Sequence, residues 1–200
     1  MILAFDTSSA ACTAALFDGD GTCLAHRDEI IGRGHSERLV PMLDELLGGR
    51  APESVLVGVG PGSFTGIRVA IAAAHGLAIG WNAQLSGMSS LALLAAGIEA
   101  DGPIAVAVSG GHGELFVQPF DHGEAIGELA NLSPAGAAAA IAAKLVVGSG
   151  AEALVAARGW GEARDSWPSA ANALKLPAAL RSLDPKPVYA RAPDAKARAA

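Results

Sequence analysis

The chain is poor in charge, in aromatic side chains and in cysteine. Only 17% of its 200 residues are Asp, Glu, Lys or Arg, while hydrophobic residues make up 51%. An unfolded chain needs the reverse balance, so disorder is excluded for most of the length. Basic residues number 14 against 20 acidic ones, a net charge of −6. That excludes the broad cationic surface of a stand-alone nucleic-acid binder. Aromatic residues reach only 4%, and Trp160, Trp167 and Tyr189 do not interleave with Lys or Arg as RNA-stacking platforms do. Cys12 and Cys23 have neither metal-site nor C-x-x-C spacing and read as buried thiols in a reducing cytoplasm. His26, His35, His75, His112 and His122 form no H-x-x-x-H or H-E-x-x-H pair, so no local metal motif is present. Met1 to Phe5 runs straight into Asp6 with no basic region, which predicts no secretory signal. No run approaches the roughly 18 apolar residues of a membrane span. The nearest, Ile67 to Ile79, carries Arg68 and His75.

What is present is an alternation of periods. Ile2–Asp6, Ala11–Phe17 and Cys23–Ile30 read as strands, with Asp18-Gly19-Asp20-Gly21 as turn chemistry, and together predict an antiparallel meander. Leu39, Leu43, Leu46 and Leu47 then fall at helical spacing, with Ser36 as the expected N-cap, Pro41 as a kink and Gly48-Gly49 as the stop. A strand at Val55–Val59 leads through Gly60-Pro61-Gly62-Ser63-Phe64-Thr65-Gly66 into a long helix ending near Gly80. A strand at Gln84–Met88 and a helix at Ser89–Ala96 follow. After Asp101-Gly102-Pro103 the pattern partly restarts, with strands at Ile104–Val108, Glu114–Pro119 and Leu145–Val147 and helices near Pro134–Ala143 and Ala151–Ala157. Strands alternating with helices predict an α/β architecture. The restart predicts two halves, 1–101 and 102–200, with a tail from about residue 192 that is expected to be disordered.

Three features could carry chemistry. The loop Gly60 to Gly66 opens a helix, where free N–H groups attract anions, yet it matches neither a Walker loop, nor G-x-G-x-x-G, nor G-x-S-x-G. A tight turn that needs glycine is an equal reading. Asp6-Thr7-Ser8-Ser9 could hold a metal-bound phosphate or could bond its own backbone. Gly66, Ala70, Ala73, Ala74 and Ala78 form a small-residue stripe on the long helix, suited to close packing inside the fold or across an interface. Motif mechanics alone assign no catalytic residue.

Ile2-Leu3-Ala4-Phe5-Asp6-Thr7-Ser8, His35-Ser36-Glu37-Arg38-Leu39-Val40-Pro41 and Gly60-Pro61-Gly62-Ser63-Phe64-Thr65-Gly66-Ile67-Arg68 resemble, in order, the three signature stretches of the TsaB family, formerly YeaZ. Pro187 to Lys196 resembles that family's C-terminal pattern. The resemblance implies an actin/Hsp70-like (ASKHA) fold of two RNase H-like subdomains with mixed sheets. It implies a non-catalytic scaffold in the complex that makes N6-threonylcarbamoyladenosine beside the anticodon of tRNA. The expected partners are a TsaD-like catalytic subunit and a TsaE-like ATPase, with a homodimer when the chain is alone and tRNA met only through the complex. No cofactor is expected on this chain by itself, with ATP or ADP at the complex interface. The expected partner interface is Leu39, Leu43, Leu46, Gly66, Ala70, Ala73, Ala74 and Leu77. Ser90 and Leu94 stand where TsaD-like proteins carry the H-x-x-x-H metal pair, which implies loss of that site. Val108-Ser109-Gly110-Gly111-His112 instead resembles the phosphate-side motif of TsaD, so Asp6, Thr7, Ser8, Ser109, Gly110 and Gly111 form the expected vestigial phosphate-binding set. The rival readings are a stand-alone ATP-binding phosphohydrolase or kinase and, less favoured, a peptidase.

Overall fold

The structure, a computed structural model, describes residues 1–190. Its first half contains β1 (Ile2–Asp6), β2 (Ala11–Phe17), β3 (Cys23–Ile30), α1 (His35–Leu47), β4 (Ser54–Gly58), α2 (Phe64–Trp81), β5 (Gln84–Met88) and α3 (Ser90–Ala95). The five strands are ordered β3-β2-β1-β4-β5, with β2 antiparallel to β1 and β3, and β4 and β5 parallel to β1. The second half has β6 (Ile104–Ser109), β7 (Leu115–Asp121), β8 (Glu124–Ala125), β9 (Ala130–Leu132), α4 (Pro134–Ala140), β10 (Leu145–Val147), α5 (Ala151–Arg158) and β11 (Glu162–Arg164). Here β7 is antiparallel to the central β6, while β10 and β11 run parallel to it, in the order β11-β10-β6-β7-β8 with β9 also on β7. Both sheets thus place an antiparallel meander on one side of their first strand and parallel crossover strands on the other. That is the RNase H-like topology twice, and two such units form an ASKHA fold.

The strands are apolar on both faces because both faces are covered. Leu3, Phe5, Leu16, Val55 and Val57 meet α1 and α2 on one side of the first sheet. Ala4, Ala15, Phe17 and Leu56 face the opposite way, into a layer shared with α3 and with Val106, Val108, Phe120 and Val147 of the second sheet. Ala105, Ala107, Leu115 and Val117 then meet α4 and α5. The chain from Ser169 returns to the first sheet: a 3-10 turn at Ala170–Lys175 donates the Ala170 N–H to Thr13 Oγ1 at 2.6 Å, and Leu183 bridges Gly87. A short helix, α6 (Ala178–Arg181), lies between these contacts.

Several local expectations are corrected. The N-cap of α1 is Gly34 in the left-handed conformation, not Ser36, and no side chain caps it. Helix α4 stops at Ala140 rather than Ala143. Beyond the stop the Arg158 guanidinium donates to the carbonyls of Ile141, Ala143 and Lys144, which the non-helical segment leaves without backbone partners in a helix. Cys12 is buried as expected, but Cys23 is exposed on the edge strand β3. The expected disorder of the last residues falls on 191–200, outside the described residues.

Helix α2 ends one residue beyond the expected Gly80 and is apolar along its length. It has 18 residues at a mean hydropathy of 1.3, enough by length and composition to span a membrane, yet its buried residues Gly66, Ile67, Ala70, Ile71 and Ala74 pack on the first sheet.

Candidate functional site

β1 ends on Asp6, which is fully buried. Asp6 Oδ1 accepts from the Ser8 amide and the Ser8 hydroxyl, each at 2.7 Å, and Oδ2 accepts from the Ser90 hydroxyl. The Thr7 hydroxyl donates to the Gly66 carbonyl at 2.7 Å. The glycine loop packs against this turn at backbone distance. A β-carbon on Gly58 would stand 1.7 Å from Asp6 Oδ2, one on Gly62 would stand 2.1 Å from the Ser8 carbonyl oxygen, and one on Gly66 1.9 Å from that of Thr7. The N–H groups of Gly60, Ser63 and Gly66 donate to Ser90 Oγ, the Ser8 carbonyl and Ser63 Oγ. Close packing therefore accounts for the glycines, and the loop's donors at these positions are already used.

Between the halves, at the carboxyl ends of β1, β4, β6 and β10, lies a cleft of about 780 Å³. Ser8, Ser109, Gly110 and Gly111 of the expected phosphate set line it. Asp6 and Thr7 do not, because both are buried in the bonds just described. The Ser109 hydroxyl donates to the Ser149 carbonyl at 3.1 Å. Phe64, Phe116, Trp167 and Tyr189 add aromatic surface, and no Lys or Arg lines the cleft among the described residues.

A second surface is the outer face of α1 and α2. The expected interface residues are mostly inside the fold: Leu39, Leu43, Leu46, Gly66, Ala70 and Ala74 are buried in the core against the first sheet, and Ala73 and Leu77 are half-buried. Their burial has a simple cause. The i, i+3, i+4 stripe of leucines and small residues is the one the sheet needs. The uncovered stripe lies alongside it. Val40 is 62% exposed on α1 and Ile79 is 82% exposed on α2, with Ala72, His75 and Gly76 exposed between the ends of α2.

At the start of α2 three side chains interlock. The Arg68 guanidinium lies 3.6 Å over the Phe64 ring, its Nε donates to the Tyr189 hydroxyl at 2.9 Å, and the two rings are 5.1 Å apart. Tyr189 is thus fixed to α2, and the Val188 N–H donates to the Val59 carbonyl at 2.8 Å beside it. Nothing in the spacing signals a contact across 121 positions. On the far side of α1, Arg38 pairs with Glu29 and Glu45. Its hydrogen bonds hold both carboxyls below their ordinary range.

The model of the family described as "TsaD: tRNA N6-adenosine threonylcarbamoyltransferase" matches residues 28–159. A solved structure from Pseudomonas aeruginosa, described as an uncharacterized protein with similarity to peptidase YEAZ, is 30% identical, with a TM-score of 0.79 over 95% of this chain and 99% of its own. The chain belongs to the TsaB (YeaZ) family. A structure titled "YeaZ from Pseudomonas aeruginosa" aligns with a TM-score of 0.76 at 28% identity, over 94% of this chain and 98% of that one. The tRNA threonylcarbamoyladenosine biosynthesis protein TsaB of Escherichia coli K12 is 41% identical over 101 residues, 48% of this chain and 43% of that protein. Its Bacillus subtilis namesake is 33% identical over 127 residues, 60% and 55% respectively. The chain therefore spans about half the length of these curated TsaB relatives.

Proposed function

We propose that this chain is a non-catalytic scaffold subunit in the formation of N6-threonylcarbamoyladenosine on tRNA. It docks a larger TsaD-like catalytic subunit on the exposed face of α1 and α2. In this reading a TsaE-like ATPase joins the assembly, ATP or ADP sits at the complex interface, tRNA is met through the complex, and the work is done in the cytoplasm. When alone, the chain pairs with a second copy through the same face. The observation that carries the proposal is α2, an apolar helix of 18 residues of which only Gly66, Ile67, Ala70, Ile71 and Ala74 are buried in the fold. Such a face is costly to leave in water and suits a protein surface. The sealed Asp6 supports the non-catalytic half of the reading, because a carboxylate with donors on both oxygens is not poised to hold a metal-bound phosphate. Deleting the gene should abolish threonylcarbamoyladenosine in total tRNA, and unchanged nucleoside content would overturn the proposal. Affinity purification of the tagged chain at low salt should recover the larger subunit, and substituting Ile79→Asp should release it.

A further inference from the structure

The cleft between the halves carries groups that the scaffold reading does not use. Among the described residues no Lys, Arg, Asp or Glu lines it, and His112 is the one basic side chain in the lining. The Asp6 carboxylate behind Ser8 is fully buried and accepts donors on both oxygens. Arg68 lies outside the lining, with its guanidinium over the Phe64 ring and its Nε on the Tyr189 hydroxyl.

Three hydroxyls of the lining combine a fixed oxygen with an uncommitted proton. Ser9 Oγ accepts the Ala11 N–H at 3.1 Å, Ser63 Oγ the Gly66 N–H at 3.3 Å and Ser149 Oγ the Ser109 N–H at 3.1 Å. None of these three O–H groups has an acceptor among the described residues. Those of Ser8 and Ser109 are taken by Asp6 and by the Ser149 carbonyl. Ser9 and Ser63 belong to the first half and Ser149 to the second, so donors reach the cleft from both walls. Aromatic rings do the same. Phe64 and Tyr189, 45% and 40% exposed, stand 5.1 Å apart on the first wall. Phe116 reaches the lining from the second half past Gly110, where a β-carbon would stand 3.4 Å from its ring.

We propose that this cleft binds an uncharged nucleoside, a planar heteroaromatic base on a neutral sugar, and discriminates against the phosphorylated forms. The rings supply stacking surface for a flat base. The three uncommitted O–H groups need acceptors, which ring nitrogens, base carbonyls and sugar oxygens provide and an aliphatic ligand does not. A phosphate drawn into the cleft would lose water with no Lys or Arg in the lining to offset the loss. The volume of about 780 Å³ is in the range of pockets that enclose small organic ligands. The site is separate from the outer face of α1 and α2, so the proposal stands or falls independently of partner docking.

Isothermal titration calorimetry of the purified full chain tests this with adenosine, guanosine, cytidine and uridine, each beside its 5′-monophosphate. The titrations are run at about pH 8, above the ordinary imidazole range, so that a histidine cation does not stand in for lysine. At least one nucleoside should bind with a Kd of about 0.1 mM, the affinity that roughly 20 non-hydrogen atoms support. Its monophosphate should bind at least about tenfold more weakly. Trp167→Leu, which removes a ring from the lining, and Ser149→Ala, which removes one uncommitted O–H, should each weaken nucleoside binding by about three- to tenfold, with melting curves confirming that both are folded. No heat from any nucleoside at about 1 mM would overturn the proposal. So would a monophosphate that binds as tightly as its nucleoside, or nucleoside binding that both folded variants leave unchanged, which would place it outside the cleft.

Discussion

Ser90 Oγ donates to Asp6 Oδ2 and at the same time accepts the Gly60 N–H at 3.0 Å, tying β1, the glycine loop and the start of α3 at one hydroxyl. All of this is buried: Asp6 is fully covered and Ser90 is 4% exposed. Replacing Ser90 with Ala leaves one carboxylate oxygen without its donor and the Gly60 amide without an acceptor. Unmet buried groups cost roughly 1–3 kcal/mol each, more when charged, so Ser90→Ala should lose about 3 kcal/mol. A lowered urea midpoint at unchanged slope would show it. A loss below about 0.5 kcal/mol would mean that water replaces the hydroxyl.

Gly66 sets two effects against each other. It lies inside α2, where alanine is favoured over glycine by roughly 1 kcal/mol of helix propensity. Its missing side chain, however, is where the Thr7 carbonyl sits, 1.9 Å from the point a β-carbon would occupy. Backbone on both sides cannot yield, and overpacking costs about 1–3 kcal/mol or more. Gly66→Ala should therefore be destabilising by at least about 2 kcal/mol in a denaturant titration. A stabilised variant would mean the two segments are not in contact.

That contact also marks the limit of what the sequence could tell. The helices were legible because their burial repeats at three to four residues, and the core strands because short apolar runs bounded by turn residues mark strands covered on both faces. Gly58, Gly62 and Gly66 were visible as glycines, but whether they face a ligand or the Ser8 and Thr7 carbonyls depends on which segments meet. The same gap applies to the helix surfaces. Leu39, Leu43 and Ala70 were the evident stripe, and the fold uses them internally, so the stripe left exposed is the less conspicuous neighbour carrying Val40 and Ile79. Short charged β11, Glu162–Arg164, has no strand signal of its own and forms because Leu145–Val147 offers a parallel edge.

Arg158 bonds four carbonyls, those of Ile141, Ala143, Lys144 and Trp160, and lies 3.9 Å over the Trp160 ring. Burial lowers its affinity for a proton, the expected direction for a cation drawn out of water. It closes the non-helical turn from α4 to β10. Arg158→Met keeps much of the aliphatic volume and removes every donor, so it should cost about 3 kcal/mol. Arg158→Lys should recover only part, since one ammonium cannot span the same set of oxygens. Thermal unfolding of the three proteins would rank them, and equal midpoints for Arg and Lys would show that charge alone suffices.

The two thiols should separate cleanly by reactivity. Cys12 lies on β2 against the Met42 sulfur with no exposed surface, and burial pushes its thiol up to about 11. At pH 8 about one molecule in a thousand would carry the thiolate, the form that reacts. Cys23 is exposed, with its thiol raised by partial burial. A thiol reagent at pH 8 should titrate one cysteine in the folded chain and the second only in denaturant, and two fast equivalents would overturn this placement. The sign of the pH effect follows from the same shift. The folded Cys12 holds its proton more tightly than the unfolded thiol, whose ordinary value is 9.0. Its contribution to stability is thus complete below about pH 9 and falls as pH rises toward 11. Cys12→Ala should remove that alkaline decline, and a parent chain whose unfolding midpoint is flat between these limits would show that the buried thiol is not what the pH reports.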